Sequence, residues 1–183
     1  MSNYKNFELV VYFVAGGTKH TTDKKLREEI EQMNMDIQIA QREGNYEKAA
    51  DAFEKDVKKG RNLDEAYRGL GIAYFEMEDY KAAVEAFELA IQHETEETSV
   101  FCSFLAASYF EIGDCEKALD AYERGLACDD LTEELEQEIQ FNLIAVYEKM
   151  ANWDAAKKQM DEYVKKYPED SRVEKEAEFL ETR

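Results

Sequence analysis

A set of residue types returns along this 183-residue chain at intervals of 34, 35 and 38 positions, and that recurrence narrows the possible folds more than any other feature. In the clearest copy Tyr67, Leu70, Gly71, Tyr74 and Phe75 fall at helical spacings, a turn follows at Asp79 and Tyr80, and Ala83, Phe87 and Ala90 come after it. The next copy holds Cys102, Leu105, Ala106, Tyr109 and Phe110, then Gly113 and Asp114, then Ala118, Tyr122 and Gly125. A third holds Leu143, Ile144 and Tyr147, then Asn152 and Trp153, then Ala156, Met160 and Tyr163, and closes at Pro168. Upstream, Ile37, Ala40, Gly44, Asn45, Tyr46, Ala49 and Phe53 form a first copy. With one proline and eight glycines in the chain, little interrupts helices between these turns.

Each recurring type has a mechanical reason. Gly71 and Ala106 lack bulk where a first helix meets a second, and Ala49, Ala83, Ala118 and Ala156 face them from the second. Tyr74, Tyr109 and Tyr147, with Phe53, Phe87 and Tyr122, supply rings that fill the space between successive helix pairs. Asn45, Asp79, Asp114 and Asn152 each stand four residues before those alanines, where a short polar oxygen accepts a backbone N–H at the start of the second helix.

This joint spacing resembles the tetratricopeptide repeat over about three quarters of the chain. The resemblance implies an all-α fold, a right-handed α-solenoid of about four helix-turn-helix units. The repeats are expected at about 30–63, 64–98, 99–136 and 137–170 within an array spanning 23–170, with a first helix from about Asp23 through Leu26, Ile30 and Met33. The outer copies depart from the pattern at Asp36, Asp56, Ile144 and Tyr163, as terminal repeats with one neighbour-facing surface can. The stretch Glu133 to Glu138 carries a three-residue expansion, read as a longer turn or an extended helix start. Beyond Pro168, Val173, Ala177 and Leu180 mark an amphipathic helix over 171–183 that is expected to cap the array.

Residues 1–22 read differently. The apolar run Leu9 to Ala15, followed by Gly16 and Gly17, has the minimum length of a secretion leader, with Glu8 at its entrance. Two readings are open: a degenerate leader, or an apolar segment that packs on the first helices. A cytoplasmic location is expected, with an exported or membrane-attached one as the alternative if Met1 to Gly17 acts as a leader. Seven apolar residues are too few to span a bilayer, so no intact transmembrane helix is expected.

Reactive groups do not converge in the sequence. Cys102, Cys115 and Cys128 are an odd set without zinc-site spacing and are read as buried thiols. His20 lies in the N-terminal segment, and His93 at the expected end of a helix. No phosphate loop follows Gly16 and Gly17. No catalytic residue, metal or cofactor is expected, and the chain is read as a non-enzymatic adaptor or scaffold.

The family's geometry implies that the first helix of each pair lines a concave groove. Copy one offers Asn34, Met35, Gln38, Gln41 and Arg42; copy two Glu65, Arg68, Ile72, Phe75 and Glu76; copy three Val100, Ser103, Phe104, Ala107, Phe110 and Glu111; copy four Glu138, Phe141, Asn142, Ala145, Glu148 and Lys149. The expected peptide-binding set is Arg68, Ile72, Phe75, Phe104, Ala107, Phe110, Phe141 and Asn142. Phe75 and Phe110 read equally well as core, whereas Phe104 and Phe141 stand opposite their own helix's core tyrosine, where an exposed ring needs a reason. The carboxylate clamp of some tetratricopeptide domains is not visible, since Gly69, Ile72, Val100 and Phe104 occupy its places and Arg68 and Asn142 are too few.

Charge then selects among partners. The chain carries 42 acidic and 23 basic side chains, a net −19, which argues against nucleic-acid phosphates and anionic membranes. Residues 64–136 hold 20 acidic and 4 basic side chains, so −16 of that charge sits on the two middle repeats. The expected partner is a protein or peptide, basic and amphipathic, drawn to the groove. Self-association into a homo-oligomer is the alternative.

Overall fold

The structure, a computed structural model, describes residues 45–182. The expectations for the N-terminal segment, for the helix through Leu26, Ile30 and Met33, and for the copy-one groove residues Asn34, Met35, Gln38, Gln41 and Arg42 lie outside the described residues.

Eight helices follow one another among the described residues: α1 (Tyr46–Lys59), α2 (Leu63–Glu76), α3 (Tyr80–Gln92), α4 (Ser99–Ile112), α5 (Cys115–Leu126), α6 (Glu133–Lys149), α7 (Trp153–Lys166) and α8 (Arg172–Glu181). The four predicted N-caps start the second helices. Asn45, Asp79, Asp114 and Asn152 accept from the backbone N–H of Lys48, Ala82, Lys117 and Ala155 at 3.2–3.3 Å. Thr98 and Thr132 do the same for two first helices, accepting from Phe101 and Leu135 at 3.2 Å. Thr132 settles the expanded stretch after it: Glu133 to Glu138 is an extended helix start, which makes α6 the longest helix at 17 residues.

Each turn from a first to a second helix puts one residue into left-handed backbone, Glu78 at φ 61°, Gly113 at φ 89° and Ala151 at φ 55°. Only glycine takes that conformation without a Cβ penalty, so Glu78 and Ala151 are held there against their preference.

Chain neighbours pack pairwise from α1 to α8, and the first helices also touch each other, α2 against α4 and α4 against α6. The result is an α-solenoid. Small residues let the layers close: a Cβ on Gly71 would come within 2.4 Å of the Phe87 ring, and one on Gly69 within 2.4 Å of the Phe53 ring. Phe87 meets Phe101 edge-on at 5.3 Å, carrying the core from one repeat to the next. Two tyrosines tie first helices to the preceding repeat in the same way. Tyr74 donates to Glu54 at 3.3 Å, and Tyr109 to Glu88 at 2.7 Å. Helix α4, packed by α2, α3, α5 and α6, is buried at every residue from Phe101 to Phe110.

Helix α8 closes the array against α7, with Leu180 buried beside Ile144, Ala156, Met160 and Tyr163. No helix among the described residues is long and apolar enough to cross a membrane.

Candidate functional site

Helices α2, α4 and α6 stand side by side, so their equivalent residues form one continuous face across repeats two to four. Much of the expected binding set lies in the floor of that face. Ile72, Phe104, Ala107, Phe110 and Asn142 are all buried.

Phe104 corrects the sequence reading most clearly. It is a fully buried ring, held edge-on by Phe75 at 5.1 Å. Its position opposite Tyr109 does not expose it, because α4 has neighbours on all sides. A Phe104→Glu variant would put a carboxylate into the core and report on folding instead of ligand contact. Asn142 hydrogen-bonds the buried Tyr122 hydroxyl, so its amide is engaged inside the protein. Gly69 is a seat for the Phe53 ring.

Phe141 is partly covered. Its half-buried ring lies edge-on to Tyr163 at 5.4 Å, with the Arg172 guanidinium 4.3 Å from its centroid. Arg172 leads α8 and binds several groups at once: Glu138 at 2.9 Å, the Asp170 carboxylate at 2.6–3.1 Å and the Tyr163 hydroxyl at 3.1 Å. Against the burial that raises it, hydrogen bonds from Arg172 and Tyr163 hold the Asp170 carboxyl well below the usual range. Further along, Glu176 of α8 meets Glu148, and burial together with that carboxylate pushes Glu176 up to about 7. Glu138, Phe141 and Glu148, expected to line the groove, are thus taken up by the C-terminal helix.

What remains accessible is concentrated on repeats two and three. Arg68 pairs with Glu65 one turn before it. Burial pushes the Glu65 carboxyl up, and the Arg68 cation offsets only part of that. On the turn side Phe75 meets the Tyr80 ring edge-on at 5.4 Å. Burial raises the Tyr80 hydroxyl pKa, and the charges of Glu111, Glu78 and Glu76 add to it. At the far end Lys149 reaches back to α4, donating to the Phe110 carbonyl with its ammonium 4.1 Å from the Phe110 ring centroid. The face is therefore apolar below and acidic above, with Arg68 and Lys149 as its cations.

The thiols hold a relation that their spacing did not reveal. Cys102 and Cys128 meet at Glu97: the Cys102 thiol lies 3.7 Å from its carboxylate, and the Cys128 thiol donates to its carbonyl at 3.3 Å. Burial pushes both thiols up, which makes them poor nucleophiles. His93 caps α3 and stacks on Tyr67 at 5.4 Å. Among the described residues no three histidine, cysteine or acidic side chains are grouped to hold a metal.

Comparison with known proteins agrees with this architecture. Two models of the tetratricopeptide repeat match residues 64–96 and 138–170. No curated protein matches the sequence significantly. Among solved structures, MamA from Desulfovibrio magneticus RS-1 superposes with a TM-score of 0.71 at 18% identity, covering 89% of this chain and 87% of that one. A second MamA structure gives 0.67 at 21% identity over 81% of this chain and 79% of that one. YrrB, described as a tetratricopeptide protein with an unusual peptide-binding site, gives 0.67 at 18% identity over 85% and 81%. These likenesses show the fold. With the capped turns, the glycine seats and the two matched segments in agreement, the chain carries tetratricopeptide repeats.

Proposed function

We propose that this protein is an adaptor or scaffold that takes a basic, amphipathic segment of a partner on the face formed by α2, α4 and α6. Tetratricopeptide repeats serve in general as protein-interaction modules, and one structural neighbour is itself described as having a peptide-binding site. The observation that carries the finer reading is the edge-on pair of Phe75 and Tyr80 on the face's middle repeats, with the charges of Glu111, Glu78 and Glu76 acting on the Tyr80 hydroxyl. Such a corner favours a lysine or arginine, which gains both charge pairing and a ring face.

In this reading Phe75, Tyr80, Glu65, Arg68 and Glu111 offer the contacts, while the buried Ile72, Phe104, Ala107, Phe110 and Asn142 shape the floor beneath them. Photo-crosslinking tests the placement. A benzoylphenylalanine at Val100, half-buried at the start of α4, should yield a partner adduct in native extract, and the same probe at the exposed Lys158 of α7 should not. Adducts at Lys158 alone would contradict it.

A further inference from the structure

Three large apolar side chains stay exposed among the described residues: Met77 at 40%, Ile112 at 39% and Met150 at 38%. Singly, such exposure is ordinary. Their placement is not scattered. Each lies two residues before the N-cap of its repeat's second helix, ahead of Asp79, Asp114 and Asn152. Met77 and Met150 are the C-caps of α2 and α6, and Ile112 is the last residue of α4. All three therefore stand at the same turn of successive repeats and form a row along one edge of the solenoid, beside the concave face.

The pitch of that row selects the shape of its occupant. Helices α2, α4 and α6 touch in succession. Packed helix axes lie about 8–10 Å apart, so equivalent residues recur at about that distance. An extended strand covers about 10 Å in three residues, an odd number that sends successive side chains to opposite faces. A helix covers about 10.5 Å in seven residues and returns to the same face within about 20°. Only a helix presents three apolar side chains to this row.

Charge selects its chemistry. Glu76, Glu78 and Asp79 flank Met77, and Glu111 and Asp114 flank Ile112. Lys117 is paired with Glu88 and Asp114, and Lys149 is held against Phe110. No cation of the described residues lies within ion-pair distance of Glu78 or Glu111. A second copy of this edge would oppose acid to acid, and an anionic lipid surface would be repelled.

We propose that the turn edge at Met77, Ile112 and Met150 is a second docking surface, and that its occupant is a partner helix with apolar residues at i, i+7 and i+14 and lysines or arginines beside them. It shares Glu76, Glu78 and Glu111 with the Tyr80 corner, but its apolar anchors Met77, Ile112 and Met150 are its own. Three half-exposed side chains are well below a standard interface, so the contact is weak and suits a transient or multivalent partner.

The probe is a fluorescein-labelled synthetic peptide of about three heptads, with leucine at one position of each heptad, lysines flanking it and alanine elsewhere. A control of identical composition has its leucines spread around the helix. Anisotropy titrations use the full chain at low salt. The heptad peptide should bind about tenfold more tightly than the control, and the charge-neutral triple variant Met77→Gln/Ile112→Gln/Met150→Gln should remove that preference while circular dichroism stays unchanged. The variant Glu65→Gln/Arg68→Gln, which alters the concave face alone, should leave it intact, so the two surfaces are tested separately. Equal affinity for both peptides, or a preference that survives the triple variant, would overturn the proposal. So would concentration-dependent self-association that the triple variant abolishes, which would assign the edge to a second copy.

Discussion

Ala151 sits at φ 55° in the turn between α6 and α7, where the equivalent turn between α4 and α5 uses Gly113. Left-handed backbone costs alanine its Cβ contact with the following carbonyl, so Ala151→Gly should stabilise the protein by about 1 kcal/mol in urea denaturation. The effect at Glu78 should have the same sign. Gly71 is the opposite case. It has no Cβ, and the Phe87 ring fills that space, so a methyl group there would lie 2.4 Å from the ring. Gly71→Ala should destabilise by about 1–3 kcal/mol, despite alanine's better helix propensity. The two glycine-related substitutions thus have opposite expected signs because one concerns backbone conformation and the other packing.

At the scale of helices, the caps are the most direct link from sequence to architecture. Asp114 accepts from Lys117 N–H at 3.3 Å, and Asp114→Ala should cost about 1 kcal/mol by denaturant titration. These four caps were legible because their spacing from the small alanines is the same in every copy. Thr98 and Thr132 were not read as caps, since the expansion after Thr132 sets them out of register when copies three and four are aligned 38 residues apart, and only the backbone shows which N–H each meets. Helix α8 was legible as an amphipathic stretch, yet its reach over Glu138, Phe141 and Glu148 was not, because that depends on Arg172 and Glu176 meeting another helix in space.

The same helix carries a pH dependence with two opposed parts. Asp170 is held below its ordinary value, so its contribution is present above about pH 3.9 and is lost as pH falls further. Glu176 is pushed up to about 7, so the stability it adds is full below an unfolded value of about 4.3 and is lost as pH rises through 7. The docking of α8 should be strongest between those limits, at about pH 4–6. Glu176→Gln should remove the loss at the alkaline side, raising stability at about pH 8 by about 1 kcal/mol once solvent screening is allowed for. Melting temperatures of both proteins at two pH values test this, and identical pH dependence would contradict it.

Across the whole molecule the solenoid arrangement determines which side chains a partner can reach. A stripe of aromatics read along three separate helices looked like one exposed surface, because each helix on its own has a face opposite its core tyrosine. Stacking gives α4 neighbours on every side and turns Phe104 into core. The acid was more legible: −16 of the chain's −19 falls on residues 64–136, and part of it acts on the Tyr80 hydroxyl. Such a field draws a basic segment toward the middle repeats and weakens as salt shortens its range to about 3 Å at 1 M from about 10 Å at 0.1 M. The decisive measurement is the yield of the Val100 crosslink at low and high ionic strength. A partner adduct should form at Val100, be absent at Lys158, and fall several-fold as salt rises. An adduct of equal yield at both positions, or one indifferent to salt, would contradict it.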